Sequence, residues 1–180
     1  MKNTSDSPPS VAEKRRISLL TRRGYAALGL RLGVFALAVW LLFSQVFLLT
    51  RCDGMGMFPA VKDGDLVLAY RLHRDYSKGD VVAYTREGEM LFGRVVAKQT
   101  DVVLLDGSGS LQVNGSTQTG EILYPTYPRE NTVYPLQVQE GMVFLLGDYR
   151  TQTRDSRDFG PIPLDNILGK VITVVRRRGV

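Results

Sequence analysis

The chain has 180 residues, 44% apolar and 23% charged, with 23 bases, 18 acids and a net charge of +5. This length suits one domain with an appendage, and the composition excludes a wholly disordered or collagen-like chain. All of the net charge lies at one end: residues 1–31 hold seven bases against two acids, and the remainder holds sixteen of each, leaving no basic face for nucleic acid.

One cysteine and one histidine leave no disulfide framework and no metal site of ordinary ligand count, and no cofactor is expected. A Ser-His-Asp or Cys-His mechanism would have to run through His73.

In chain order, residues 1–13, with Pro8, Pro9 and several serines, read as a disordered tail. Leu32–Leu49 follows as eighteen uncharged residues interrupted only by Ser44 and Gln45. As a helix it is about 27 Å long, enough to cross the hydrocarbon core of a bilayer. The bases before it place residues 1–31 in the cytoplasm and the rest outside, by the positive-inside rule. A cleavable signal peptide would need a small-residue exit that Leu49-Thr50-Arg51 does not offer. A lipid anchor on Cys52 is disfavoured by Arg51, and a core helix apolar on every face does not suit a domain this small. The expected partition is a basic tail at 1–31, a single-span anchor at 32–50 in the cell membrane, and an extracytoplasmic body at 51–180.

The body reads as all-β and mostly antiparallel. Short β-branched and aromatic runs predict strands at Asp65–Arg71, Asp80–Arg86, Leu91–Lys98, Val102–Asp106, Ser110–Val113, Met142–Leu146 and Gly169–Arg176. Turn signals fall at Lys62-Asp63-Gly64, Ser77-Lys78-Gly79 and Asn114-Gly115. Residues 114–140 carry Pro125, Pro128 and Pro135 among Tyr124, Tyr127 and Tyr134, and read as a lid-like insertion with little regular structure.

Four segments in order then carry a resemblance. Gly54-Met55-Gly56-Met57-Phe58-Pro59-Ala60-Val61 looks like G-x-S-M-x-P-T-L/I, and Lys78–Tyr84 looks like R-G-D-I-V-V-F. Phe92-Gly93-Arg94-Val95-Val96-Ala97 looks like V/L-K-R-V/I-I/V-G, and Gly147–Arg157 matches G-D-N-R-x-x-S-x-D-S-R. The chain resembles the type I signal peptidases, membrane-anchored proteases that remove signal peptides, over nearly all of residues 32–175. The resemblance implies an antiparallel β domain with a shallow groove beside the bilayer, and a reaction in which a serine attacks the scissile carbonyl while a desolvated lysine takes its proton.

Gly56 stands at the serine position and Gly93 at the lysine position. Glycine has no atom for either role. Lys98 lies about 16 Å further along the strand on the opposite face, and Arg94 faces away and does not deprotonate. Cys52, Thr50 and Asp53 are the remaining nucleophile or acid types nearby, and a carboxylate dyad of Asp53 with Asp155 is conceivable.

What the resemblance leaves is binding equipment: Gly54, Met57, Pro59, Arg94 and Thr153 as the remnant of the groove, and Asp148, Arg150, Asp155, Ser156 and Arg157 as a loop organised by charge pairs. Backbone groups do most of the holding of an extended segment, and the Gly56 N–H stands as an oxyanion donor by analogy. The expectation is a noncatalytic homologue that binds exported proteins or pilin precursors beside the lipid bilayer, like the signal-peptidase-like proteins of Gram-positive pilus assembly. The alternative is an active signal peptidase with a displaced nucleophile. A soluble self-cleaving repressor module of the same Ser-Lys chemistry is set aside, because an anchor stands where its DNA-binding head would be.

Overall fold

The computed structural model describes residues 11–118 and 124–176. Most of the expected tail, residues 1–10, and residues 119–123 of the expected insertion lie outside the described residues. The chain divides into two units, Met1–Ser44 and Gln45–Val180.

The first unit is built on α1 (Val11–Val46). Its stretch Gly24–Val46, 23 residues of mean hydropathy 2.1, is long and apolar enough to cross a membrane. Leu30, Phe35, Trp40 and Leu42 are exposed along it, as suits a helix whose partner is lipid rather than a protein core. The apolar helix thus begins earlier than Leu32 and stops earlier than Thr50. Phe47–Arg51 is instead a strand, β1. Its apolar residues continue the helical hydropathy pattern, but they pair in antiparallel register with β2 (Leu66–Tyr70), Phe47 opposite Tyr70 and Arg51 opposite Leu66. Tertiary pairing overrides the local signal there.

The body holds a seven-stranded and a four-stranded sheet, and every strand pair in them is antiparallel. The larger sheet contains β1, β2, β3 (Val81–Arg86), β4 (Glu89–Lys98), β9 (Met142–Leu146), β10 (Ile162–Pro163) and β11 (Ile167–Val175), in the order β1-β2-β11-β3-β4-β9-β10. The smaller contains β5 (Val102–Leu105), β6 (Leu111–Val113), β7 (Ser116–Thr117) and β8 (Leu136–Gln137), in the order β7-β6-β5-β8. Each of the seven predicted strands exists, within two residues at either end. Two short strands, β7 and β8, fall inside the expected insertion. Asn114 and Gly115 both have positive φ, 54° and 76°, the backbone that a two-residue hairpin turn requires between β6 and β7.

Alternation along β4 divides the core. Phe92 joins Cys52, Met57, Val61, Val67 and Ala83 on one side. Val95 joins Tyr76, Val82, Tyr84, Val143, Leu145, Ile162 and Ile167 on the other. Past a register shift between Val95 and Ala97, Val96 and Ala97 pack with Val103, Leu105, Leu111, Val113 and Phe144 beneath the smaller sheet. Asp101 fastens the two sheets, accepting from the Lys98 N–H (2.8 Å) and the Asn114 amide (2.6 Å) and pairing with Lys78 (2.9 Å).

Candidate functional site

Two loops and one strand bring the motif residues together. The first loop, 54–61, is anchored by Met57, which is 1% exposed in the core beside Phe92, and by the Val61 N–H on the Met57 carbonyl (2.9 Å). Exposed Gly54 donates its N–H to Asp63 (2.7 Å), and Pro59 is exposed. The second loop follows β9 and leads into α2 (Ser156–Phe159). The loops meet at the Gly56 carbonyl, which accepts from the Tyr149 N–H (3.0 Å) and the Thr153 hydroxyl (2.9 Å). Thr153 also lies 2.7 Å from the Tyr149 carbonyl, so its hydroxyl ties one loop to the other.

Gly147 permits this approach. A Cβ there would lie 2.2 Å from Thr153 Cγ2 and 2.6 Å from the Gly56 carbonyl oxygen. At Gly56, a Cβ would meet Thr153 Cγ2 at 3.3 Å. At Gly93 it would lie 3.2 Å from both Leu145 Cβ and Tyr84 Cε1. The fully buried Tyr84 ring thus lies against the face from which a lysine at position 93 would project. No hydrogen-bond partner reaches the Tyr84 hydroxyl among the described residues. Burial pushes its pKa well above the ordinary tyrosine value, so it stays protonated.

Arg94 faces the other way, as expected of the next residue on a strand. It forks onto Asp148 (2.8 and 2.5 Å) and donates to the Gly79 carbonyl (2.7 Å). Asp155 caps α2, accepting from the Arg157 N–H (3.1 Å), and pairs with the Arg157 guanidinium through two 2.8 Å bonds. It also accepts from the Gly147 N–H (3.2 Å), and both partners of the ion pair are almost fully buried. Four donors occupy its two oxygens, so Asp155 is committed to holding this loop. Ser156 accepts from the Leu145 N–H (3.0 Å).

The motif loop also holds the segment 124–135, a role the sequence did not reveal. Arg150 donates to the Gly147 carbonyl (2.8 Å) and the Thr126 hydroxyl (2.5 Å). Burial pulls its guanidinium down to about 10, which leaves it charged at pH 7. Arg157 reaches the Tyr127 carbonyl (3.4 Å), Thr132 donates to the Arg157 carbonyl (2.8 Å), and Arg129 pairs with Asp158. This part of the expected insertion is therefore a strap bound to the motif loop.

Of the substitutes considered, Cys52 is buried and Lys98 and His73 have partners of their own. Burial, then Asp63, Asp53 and Asp65, push the Cys52 thiol up to about 11, so about one in ten thousand is thiolate at pH 7. Lys98 pairs with Asp75 at the surface (3.0 Å), and His73 packs edge-on against Tyr76. Among the described residues, no three His, Cys, Asp or Glu side chains form a group that could hold a metal ion.

A family model described as "Signal peptidase, peptidase S26" matches residues 25–176. The chain belongs to the S26 signal peptidase family. It is 30% identical over 129 residues to probable thylakoidal processing peptidase 2 of Arabidopsis thaliana, covering 64% of this chain and 34% of that protein. It is 26% identical over 135 residues to signal peptidase I of Bacillus caldolyticus, covering 66% and 74%. The match thus spans only about a third of the plant relative. A solved signal peptidase I from Enterococcus faecalis V583 aligns with a TM-score of 0.47 at 24% identity, over 55% of this chain and 97% of that one. Among the departures from the S26 patterns quoted above are Gly56, Gly93, Thr153 in place of Ser, Tyr84 in place of Phe, and Tyr149 in place of Asn. The last two are the signals by which the sequence could have pointed to a rebuilt site.

Proposed function

We propose that this chain is a noncatalytic member of the signal peptidase family that binds an extended segment of an exported protein and assists its processing or its assembly into pili. The observation that carries the reading is the pair of glycines with the Tyr84 ring and Leu145 closed over Gly93. Losing nucleophile and base together costs a serine protease about a millionfold in turnover. The high thiol pKa of Cys52 and the committed Asp155 speak against displaced chemistry.

Binding survives this loss because main-chain groups grip an extended chain. No acceptor among the described residues takes the Gly56 N–H, which leaves it for a peptide carbonyl. The body stands outside the cell membrane in this reading, with residues 1–31 in the cytoplasm.

The test reconstitutes the full chain in lipid vesicles and titrates it with labelled signal-peptide precursors and pilin-derived peptides. Saturable binding with no product by mass spectrometry is expected. Cleavage above the vesicle control overturns the noncatalytic reading, and no binding to any of them overturns the groove.

A further inference from the structure

The three strands at one end of the larger sheet leave an apolar face open. Residues opposite each other in an antiparallel register share a face. The pairing of β1, β2 and β11 therefore sets Phe47 beside Tyr70, Leu68 between Leu49 and Thr173, and Leu66 between Arg51 and Val175. The opposite face, with Leu48, Val67, Val171 and Val174, is the one turned to the core. On the open face Leu49 is 63% and Val175 56% exposed, and Phe47, Leu68 and Tyr70 are half-buried. A contiguous apolar face on a folded domain marks a membrane or a protein partner.

Two observations favour the membrane. The first is chain length. The apolar stretch of α1 ends at Val46 and β1 begins at the next residue, so Leu49 lies at most about 10 Å from that end, against a headgroup layer about 6 Å deep. The Arg71 N–H bonds to the Val46 carbonyl (2.9 Å), which keeps the end of β2 at the same level. The second is charge of one sign. β1, β2 and β11 contain no acidic residue. Arg51, Arg71 and Arg176 are exposed at their ends, and none has a carboxylate partner among the described residues. Resting on the reading of α1 as a membrane span, we propose that this face docks on the bilayer surface and takes anionic phospholipid headgroups on its three arginines. The Phe47 and Tyr70 rings, with centres 5.8 Å apart, suit the interfacial layer where aromatic side chains collect. Each base near an anionic surface favours docking about fivefold. Docked, the body is held by two attachments, the span and this face.

The test uses the full chain in lipid vesicles with a bimane label on Thr173→Cys or Val175→Cys, each checked by thermal melting. Cys52 is buried and stays in place, its labelling measured in the parent chain. Vesicles of phosphatidylcholine alone are compared with vesicles that also hold phosphatidylglycerol, both carrying headgroup nitroxides. Quenching at both positions is expected, stronger in the anionic vesicles, while a label on Leu104→Cys of the smaller sheet stays unquenched. Arg71→Gln is expected to lower the ratio of quenched to unquenched label about fivefold in anionic vesicles and to leave it unchanged in neutral ones. Arg176→Gln serves if that variant fails to fold. A label on Phe35→Cys, read with acyl-chain nitroxides, reports the span by itself. Quenching there without quenching at 173 and 175 overturns the docking and leaves the span intact, and no quenching at any position overturns both. Shielding of 173 and 175 from iodide without lipid quenching means a protein partner, which also overturns the docking. Equal quenching in the two kinds of vesicle overturns the anionic preference.

Discussion

At Gly147 the addition of one methyl group has the clearest consequence. The methyl would sit inside the radius of both Thr153 and the Gly56 carbonyl, and the carbonyl belongs to the backbone. Gly147→Ala is expected to lower stability by about 3 kcal/mol, read as the urea midpoint. Adding Thr153→Ala should return only part of that loss, because the carbonyl remains. Tyr84 gives the opposite sign. Its buried hydroxyl has no partner among the described residues, so Tyr84→Phe should raise stability by about 1 kcal/mol at an unchanged denaturant slope. Restoring Gly56→Ser and Gly93→Lys together should return measurable precursor cleavage, with neither alone sufficient. The lysine Cβ must move Tyr84 or Leu145 from 3.2 Å, at a cost of about 1–3 kcal/mol, so a melting control accompanies the cleavage assay. The two glycines were legible because motifs flank them. The ring over Gly93 was not, since it comes from β3 across the two-residue turn Glu87-Gly88, whose positive φ at a glutamate no turn signal in the sequence announced.

Among the elements, the strap and α2 stand or fall together. α2 has four residues, Ser156–Phe159, and begins with a capping box in which Asp155 and Asp158 each accept from the other's end of the turn. Burial raises the pKa of Asp158, but the bonds from Arg129 and the Asp155 N–H outweigh it and hold the group below the ordinary carboxylate value. A carboxyl lower in the folded state contributes stability that is complete above the unfolded value, near 3.9, and is lost as pH falls through the folded one. Protection of the amides of residues 124–135, relative to their intrinsic exchange rates, should therefore fall below about pH 4, and Asp158→Asn should flatten that dependence and lower protection at neutral pH. The strands of the body were legible from alternation, yet β1, α2 and the strap's attachment were not. β1 looks like more helix, α2 is one capped turn, and the strap is fixed by side chains some 24 to 30 residues distant in sequence. Charge-pair reading captured Asp155 with Arg157, but missed that Arg150 and Arg157 also serve another segment.

Over the whole molecule, charge is segregated. Residues 1–31, with seven bases against two acids, account for the entire net charge, and a bias of that kind sets which end of a span stays in the cytoplasm. In right-side-out vesicles, added protease should digest the body and spare an N-terminal tag. Replacing Lys14, Arg15, Arg16, Arg22, Arg23 and Arg31 with glutamine should give a mixture of both orientations, read as tag digestion in part of the population.

The clasp between the motif loop and the strap has one more implication. Arg150, Asp155, Ser156 and Arg157 hold neighbouring chain segments in place whether or not any bond is ever broken nearby, so the demands of folding alone suffice to retain them. A match to those letters therefore registers architecture, and carries no information on whether a residue able to cut stands beside them.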